Sequence, residues 1–553
     1  MTTKALPILC AALTLVLVGP ARAASLTEVP HPNPKMPGFS EPNALPPELV
    51  NAVVAQGSVR VENPSSFTLP DGGVVNTSYY GYQDNGPFLP LPGTNVEAQK
   101  TEPDKNTYLV LEHQKGADPS YDYGNHFIFQ GHEVSISGAS YITRVNLDAD
   151  IDHRVTIMAS TLVDGRPVPN IDGSTWNPFA GRLLFTSEGG ASGGVYQATL
   201  DYPSRVEDMA GVFGRGGYEG IQTDGQGNTW IVEDSGGANG TVNNFAKAPN
   251  SFIYRFVPQH RSDLSKGKLQ VLQVISLRTG LPIVFHPGAA DADILSDDTK
   301  DLNTYGKVFD TKWVTIHDTA VDGTAAYNAN ALAKTKGGTP FKRPENGQFR
   351  PGSDFSEFYF TATGDTDART QAGSAFGGFG GIYQLSQRCS DDSGKLRLFY
   401  QGNLQHTGFD NIAFWDKSHL VVVEDRGDTL HTQGNALDQM WLLDVRKNFA
   451  DPKNQPKRIM AEGRDASATI DSSLLGSPGF QNEGDNEITG IHVSNGDPGP
   501  RGLLGASLPT PFRNGWRVFW TQQHGDNVLW EILPTNPDAW QRGGWGGGDP
   551  DDD

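Results

Sequence analysis

Cysteine is nearly missing from this chain: 553 residues contain two, Cys10 and Cys389. Cys10 lies in an amino-terminal stretch that reads as a leader, so the mature chain is expected to keep a single thiol. That excludes an intramolecular disulfide and leaves bound metal ions as the staples open to an exported protein. Basic charge is also short, with 43 Lys and Arg against 64 Asp and Glu, a net charge of −21. Nucleic acid as a partner is thereby excluded, since a phosphate backbone needs a basic face. The acid surplus suits cations, or else a solvated acidic surface. Long apolar runs are absent beyond "ALPILCAALTLVLVG", Ala5 to Gly19, which is too short and wrongly flanked for a membrane span. With Lys4 before it and "ARA" at Ala21 to Ala23 after it, the segment reads as a Sec-type signal peptide (1–23) cleaved after Ala23, which makes the protein periplasmic or extracellular.

What the chain has in quantity is turn formers, 65 Gly and 37 Pro, set between short runs of β-branched and aromatic residues. This composition favours strands joined by tight turns over helices. One design recurs: an apolar run of about four residues, then a polar or acidic group, then glycine. It occurs in "YLVLEHQKG" from Tyr108, "RLLFTSEGG" from Arg182, "NTWIVEDSGG" from Asn228, "FYFTATGD" from Phe358, "HLVVVEDRGD" from His419 and "RVFWTQQHGD" from Arg517. The tightest spacing, Glu188 to Glu233, is 45 residues, enough for one four-stranded blade, and six such units close into an all-β, six-bladed β-propeller with insertions.

A second motif precedes the first: a bulky residue, an acid, a small residue, then an apolar one. "GYEGIQ" sets Glu219 fourteen residues before Glu233, and "FDNIAF" sets Asp410 fourteen before Glu424. Looser copies are "RPENGQF" with Arg343 and Glu345, "NEITGI" with Glu487 and Thr489, and "IDGSTWNP" with Asp172. If each opens an inner strand, the blades aim a ring of carboxylates at one axial point. Such a ring cannot stay ionised uncompensated, because burial and like charge both penalise it. Hard oxygen donors in this number suit Ca²⁺, and a subset suits a trivalent or transition metal.

The succession "TWNPFAGRLLFTSE", "GRGGYEGIQTDGQGNTWIVED", "FKRPENGQF", "FDNIAFWDKSHLVVVEDRG" and "NEITGIHVS…GWRVFWTQQHGDN" resembles the PhoX family of secreted bacterial alkaline phosphatases and their relatives, from about Tyr108 to Ile532. The resemblance implies a six-bladed propeller that holds calcium and iron in its channel and hydrolyses phosphomonoesters. On it, Arg343 resembles the phosphate-contacting arginine and Glu345 a metal-ligand glutamate, two residues apart on an expected strand and so facing one side. Glu219 resembles a metal-bridging glutamate, and Glu188, Asp410, Asn411 and Glu487 resemble further ligands or supporting groups. Asp172 falls at or near the position of the family's iron-ligating cysteine. A carboxylate there is a harder donor that shifts preference from Fe³⁺ towards Ca²⁺, Mg²⁺ or Mn²⁺. The family's early "NHE" element is read as "LEHQ", with Glu112 and His113.

Other features have plainer readings. "GNHFIFQGHE", with His126, His132 and Glu133, reads as a structural or rim element, and "GGFGG" at Gly377 to Gly381 as a bend rather than a phosphate loop. Cys389 reads as an incidental thiol, and Trp176, Trp313 and Trp520 as an aromatic rim. The expected layout is an N-terminal arm over 24–75, a propeller over 76–540 interrupted at about 286–340 and 450–482, and an acidic tail over 541–553. The 286–340 stretch lacks alternation and holds an Ala-rich, helix-compatible piece. The chain is expected to act as a monomer on a small phosphoester or other anionic substrate. A calcium-bearing propeller can also serve as a lactonase-type hydrolase or as a binding scaffold, and both stay open.

Overall fold

The computed structural model describes residues 26–35, 41–68, 72–82, 101–133, 139–388, 390–463, 487–523 and 527–542. The signal sequence, the acidic tail beyond residue 542, most of the second insertion and Cys389 lie outside them.

The strands form a six-bladed propeller. Blade one is Pro103–Val110, His126–His132, Ile142–Asn146 and Val155–Ala159; blade two is Ser174–Asn177, Arg182–Ser187, Gly194–Ala198 and Val206–Asp208. Blade three is Tyr218–Thr223, Thr229–Glu233, Ile253–His260 and Asp263–Val274; blade four is Gly347–Phe349, Glu357–Ala362, Gly381–Ser386 and Ser393–Gln401. Blade five is Phe409–Phe414, His419–Glu424, Gln439–Asp444 and Lys457–Ala461; blade six is Glu487–Ser494, Arg517–Gln523 and Val528–Pro534, completed by Leu49–Ala55. The first strand of each blade touches the first strands of its neighbours, so these six line the axis.

Alternation explains why the blades stack. In the second strand of blade one, Phe127 and Phe129 face blade two, where they meet Leu183 and Phe185. Ile128, one step along, faces blade six and packs near Phe519 and Leu529. Each blade is therefore apolar on both faces, and the core is divided into wedges between neighbouring blades. Trp520 and Trp313 belong to these wedges, and Trp176 donates its indole N–H to the Pro498 carbonyl at 2.7 Å. The expected aromatic rim is thus largely core.

Three boundaries differ from the sequence reading. The arm is part of the ring, because Leu49–Ala55 pairs antiparallel with Val528–Pro534 and supplies the outer strand of the last blade. Upstream, Ala44 bridges Ala461, so the arm also straps blade five. The first insertion carries the expected helix, Ala329–Thr335. It also carries an alternating strand, Val308–Asp318, that pairs with both Asp263–Val274 and Ser393–Gln401 and joins blades three and four into one nine-stranded sheet. The second insertion begins later than expected, since Lys457–Ala461 is a strand of blade five.

The strand repeat also needs one shift of phase. Five of its copies are second strands of blades, but "YLVLEHQKG" belongs to the first strand of blade one. The matching copy is "HFIFQGHE". Glu112 and His113, at the end of that first strand, are exposed.

Candidate metal centre

The fourteen-residue spacing is a hairpin. Tyr218 pairs with Glu233 and Phe409 with Glu424, so the start of an inner strand meets the end of the second strand. In both hairpins the register slips just past that pair: Tyr218 to Ile221 spans three residues against two from Glu233 to Ile231. The same slip falls between Pro103 and Asn106 in blade one. The extra residue is a β-bulge, which bends the strand and re-aims its side chains. Asp104–Lys105, Glu219–Gly220 and Asp410–Asn411 occupy these bulges, at the axial end of each hairpin.

Small residues after the acids let the inner strands close up. A Cβ on Gly173 would lie 2.0 Å from the Glu219 carbonyl oxygen, and one on Gly220 would lie 2.7 Å from the Asn346 Cα. The Gly220 N–H instead donates to the Glu345 carbonyl at 2.9 Å.

Carboxylates converge in two groups, within each of which one oxygen per residue lies within 4.8 Å of the others. Glu188, Glu219, Asp234 and Glu345 make the first, with Glu188 the most open. Arg343 closes one side, donating through Nε to Asp234 Oδ2 at 2.8 Å, with Nη2 in ion-pair contact at 2.7 Å from Asp234 Oδ2 and 3.2 Å from Glu345 Oε1. Glu219 Oε1 accepts from Asn346 Nδ2 at 2.8 Å, and Thr363 donates its hydroxyl to Glu345. Asp104, Glu133 and Asp172 make the second group. There Thr489 Oγ1 donates to Asp104 Oδ1 at 2.6 Å, and Gln523 Nε2 donates to Asp104 Oδ2 at 2.9 Å and to Glu133 Oε2 at 3.2 Å.

Arg343 and Glu345 do not share a strand. They lie in the loop before Gly347–Phe349, and Arg343 has φ of 48°, the left-handed region. This costs a non-glycine residue about 1–2 kcal/mol, and the bonds to Asp234 hold it there.

Of the remaining expected ligands, Asp410 and Asn411 lie in the bulge of blade five. Asn411 donates through Nδ2 to both Asp410 oxygens at 2.9 Å, while its Oδ1 accepts from Lys105 Nζ at 2.8 Å. Glu487 faces the charges of Asp425, Glu133, Asp410 and Asp104. Neither Asp410, Asn411 nor Glu487 enters the two groups. At the other end Lys247 faces Arg343, Asp234, Asp365 and Glu345.

Burial, and after it the neighbouring carboxylates, pushes Asp172, Glu188, Glu219, Asp410 and Glu487 well above the usual carboxylate range. Burial lifts Asp104 to about 6 and Glu345 to about 7. Several buried oxygens here have no hydrogen-bond partner among the described residues: Asp172 Oδ1, Glu219 Oε2, Asp234 Oδ1, Asn346 Oδ1 and Gln523 Oε1. Buried acceptors are normally satisfied. Unpartnered oxygens beside crowded carboxylates, with oxygen as the only donor element in both groups, fit hard cations such as Ca²⁺.

Sequence reasoning missed Asp104, Lys105, Glu133 and Asp234. Asp104 lacks the aromatic-acid-small pattern, standing in "EPDKNTYLV". Glu133 closes "QGHE", so the His-Glu pair at the channel is His132–Glu133 and not the one in "LEHQ". His132 itself is buried on Thr101 and Thr143. Asp234 was legible as the second acid of "VED": Glu233 turns away to Tyr254 and Asn330, and Asp234 turns to Arg343.

Residues 246–469 match the family of alkaline phosphatase PhoX. No curated protein matches the sequence. Among solved structures, Pseudomonas fluorescens PhoX in complex with vanadate, a transition state analogue, superposes with a TM-score of 0.55 at 12% identity, over 92% of this chain and 98% of that one. Two others overlay far more loosely. A putative 6-phosphogluconolactonase from Bacteroides uniformis gives a TM-score of 0.31 at 10% identity, over 74% of this chain and 95% of that one. Sqt1 from Chaetomium thermophilum gives 0.31 at 12%, over 85% and 82%. The segment that matches the alkaline phosphatase PhoX family thus includes Arg343, Glu345, Asp410 and Asn411, and the chain shares its propeller fold with the Pseudomonas protein.

Proposed function

We propose that this chain is an exported, metal-dependent phosphomonoesterase that binds Ca²⁺ foremost through its two axial carboxylate groups. The observation that carries this reading is an arginine braced against a carboxylate cluster in which two buried oxygens, Glu219 Oε2 and Asp234 Oδ1, lack hydrogen-bond partners among the described residues. Cations bound there would supply Lewis-acid stabilisation of phosphoryl charge.

Glu188, Glu219, Asp234 and Glu345 would hold one ion site, and Asp104, Glu133 and Asp172 another. Asp172 in place of a thiolate keeps the donor set hard, which favours calcium over iron. The chain itself contributes orientation and charge. Arg343 uses Nε and Nη2 on Asp234, which leaves its Nη1 edge for a phosphoryl oxygen and fixes the plane of the guanidinium. Burial works against its charge, but Asp234 and Glu345 outweigh burial and hold the guanidinium well above its ordinary value, so it is a permanent cation. Lys247, half-buried beside it, adds positive potential at the mouth and draws an anionic ester towards the ions.

Elemental analysis of the mature protein, with hydrolysis of p-nitrophenyl phosphate at alkaline pH with and without chelator, tests the reading. Calcium should co-purify, chelation should abolish turnover, and Glu345→Gln should lose both ion and activity. Calcium without any phosphoester turnover would sink it in favour of a lactonase or a binding scaffold.

A further inference from the structure

Asp365 follows the second strand of blade four, Glu357–Ala362, and its side chain is fully enclosed. Oδ1 accepts from Lys342 Nζ and from the Lys247 backbone N–H, each at 3.0 Å. Oδ2 accepts from Lys342 Nζ at 3.0 Å and from the Thr370 hydroxyl at 2.5 Å. A carboxylate has about four acceptor sites, and these bonds take them all. The Asp365 N–H donates to the Gly378 carbonyl at 2.9 Å, which fixes the residue that carries the carboxylate. An acid so occupied has nothing left for an ion or a substrate; what it can do is hold its donors in place.

Each of its two lysine partners borders the mouth of the channel. Lys342 directly precedes Arg343, and the two successive cations are sorted between two acids, Lys342 to Asp365 and Arg343 to Asp234. Arg343 has φ of 48°, a conformation that persists only where its surroundings over-determine it. Three restraints do so: the Lys342 ion pair before it, the Thr363 N–H on its carbonyl at 2.8 Å, and Asp234 on its guanidinium. Lys247 stands in the loop that leaves blade three after Asp234 and returns at Ser251. That return is stitched to the Arg343 segment, since Asn250 N–H donates to the Phe341 carbonyl at 3.0 Å and Phe341 N–H to the Ser251 carbonyl at 2.8 Å. Farther out the loop is held from blade four, by Asp365 at Lys247 and by Gln371 Oε1 on the Phe245 N–H at 3.1 Å.

We propose that Asp365 is a positioning residue of the anion-binding mouth, one buried carboxylate that sets the Arg343 segment and the Lys247 loop at a fixed spacing for a phosphoryl group. This rests on the phosphomonoesterase reading given above and deepens it. Arg343 and Lys247 meet the substrate, and Asp365 acts through them. A buried ion pair that served stability alone would change the folding equilibrium when removed and would leave recognition of phosphate as it was.

The test is a mutant cycle. Asp365→Asn is made in the wild-type protein and in an Arg343→Lys, Lys247→Gln background, and all proteins are assayed in millimolar Ca²⁺. Calcium per chain, thermal midpoint, kcat and KM for p-nitrophenyl phosphate and inhibition by inorganic phosphate are recorded. In the wild-type background the change should lower kcat/KM about tenfold and weaken phosphate inhibition in parallel, with calcium content unchanged. In the double-variant background it should cost under about twofold, because the cations it positions are already altered. Unchanged kcat/KM and phosphate inhibition would overturn the proposal, as would an equal loss in both backgrounds or a fall in calcium content. Should Asp365→Asn not fold, its combination with Lys342→Met, which leaves no unpaired buried charge, carries the same expectations. Failure of that pair to fold would make Asp365 a residue of folding alone and overturn the proposal too. A wild-type protein without phosphoester turnover is a separate result, which removes the phosphomonoesterase reading and this proposal with it.

Discussion

Arg343 and Asp234, 109 residues apart in the chain, meet at the axis of the propeller with Nη2 and Oδ2 2.7 Å apart. The pair ties the loop before blade four to the end of the second strand of blade three, and it fixes the guanidinium over the first carboxylate group. Lysine cannot reproduce two donors in one plane. Arg343→Lys is therefore expected to lower kcat/KM for a phosphomonoester about 10²-fold, with calcium content unchanged. Steady-state kinetics beside elemental analysis checks this, and an unaffected kcat/KM would remove Arg343 from substrate recognition.

The two carboxylate groups should separate by mutation. Glu219→Gln should release the ion of the first group, and Asp172→Asn that of the second, each lowering calcium per chain by one. Glu112→Gln is the control, since Glu112 lies outside the channel and is exposed. An equal calcium content in all three variants would show that neither group holds an ion.

The metal-free protein should be an acid-stable one. Burial raises Asp104 from 3.8 to about 6 and Glu345 from 4.5 to about 7 in the folded state. Between the unfolded and folded values the folded chain holds more protons, so the contribution to stability is full below about pH 4 and is lost as pH rises through about 7. In chelator the thermal midpoint should fall from pH 5 to pH 8. Added Ca²⁺ should reverse the fall, with its largest effect at pH 8. A midpoint that rises with pH in chelator would contradict the charge crowding described here.

Gly220, in the inner strand of blade three, packs against Glu345 and Asn346, which lead into the inner strand of blade four. A methyl group there would meet the Asn346 Cα at 2.7 Å and the Glu345 carbonyl at 2.8 Å. Gly220→Ala should cost about 1–3 kcal/mol and displace Glu345, weakening calcium binding as well as stability. Chemical denaturation with a calcium titration measures both. A variant of wild-type stability would mean that the two strands part without cost.

Lys247 offers a test of the mouth. Because it faces Arg343 and the acids from outside the two carboxylate groups, Lys247→Gln should raise KM several-fold with little change in kcat. It should also weaken inhibition by inorganic phosphate, and the effect should shrink as salt is added. A loss confined to kcat would place Lys247 in the chemical step instead.

Local pattern determined much of this protein. Apolar runs ending in acid and glycine, and acids fourteen residues upstream, follow from a hairpin whose two ends meet, so the second strands of blades two to six, and the hairpins that begin beside Glu219 and Asp410, could be read from the chain alone. Tertiary structure decided the rest, because the deciding contacts are between segments far apart in sequence. Leu49–Ala55 has no motif that says it closes blade six; it does so because Val528–Pro534 offers an unpaired edge. Asp104 and Lys105 stand in a polar run with no aromatic-acid-small signature, and only the bulge against His126–His132 brings them to the channel. Glu133 looked like a rim residue until the same pairing carried the end of its strand to Asp104 and Asp172. A strand's two-residue period reveals which face is buried, but a bulge breaks that period, and bulges hold Asp104, Lys105, Glu219 and Asp410.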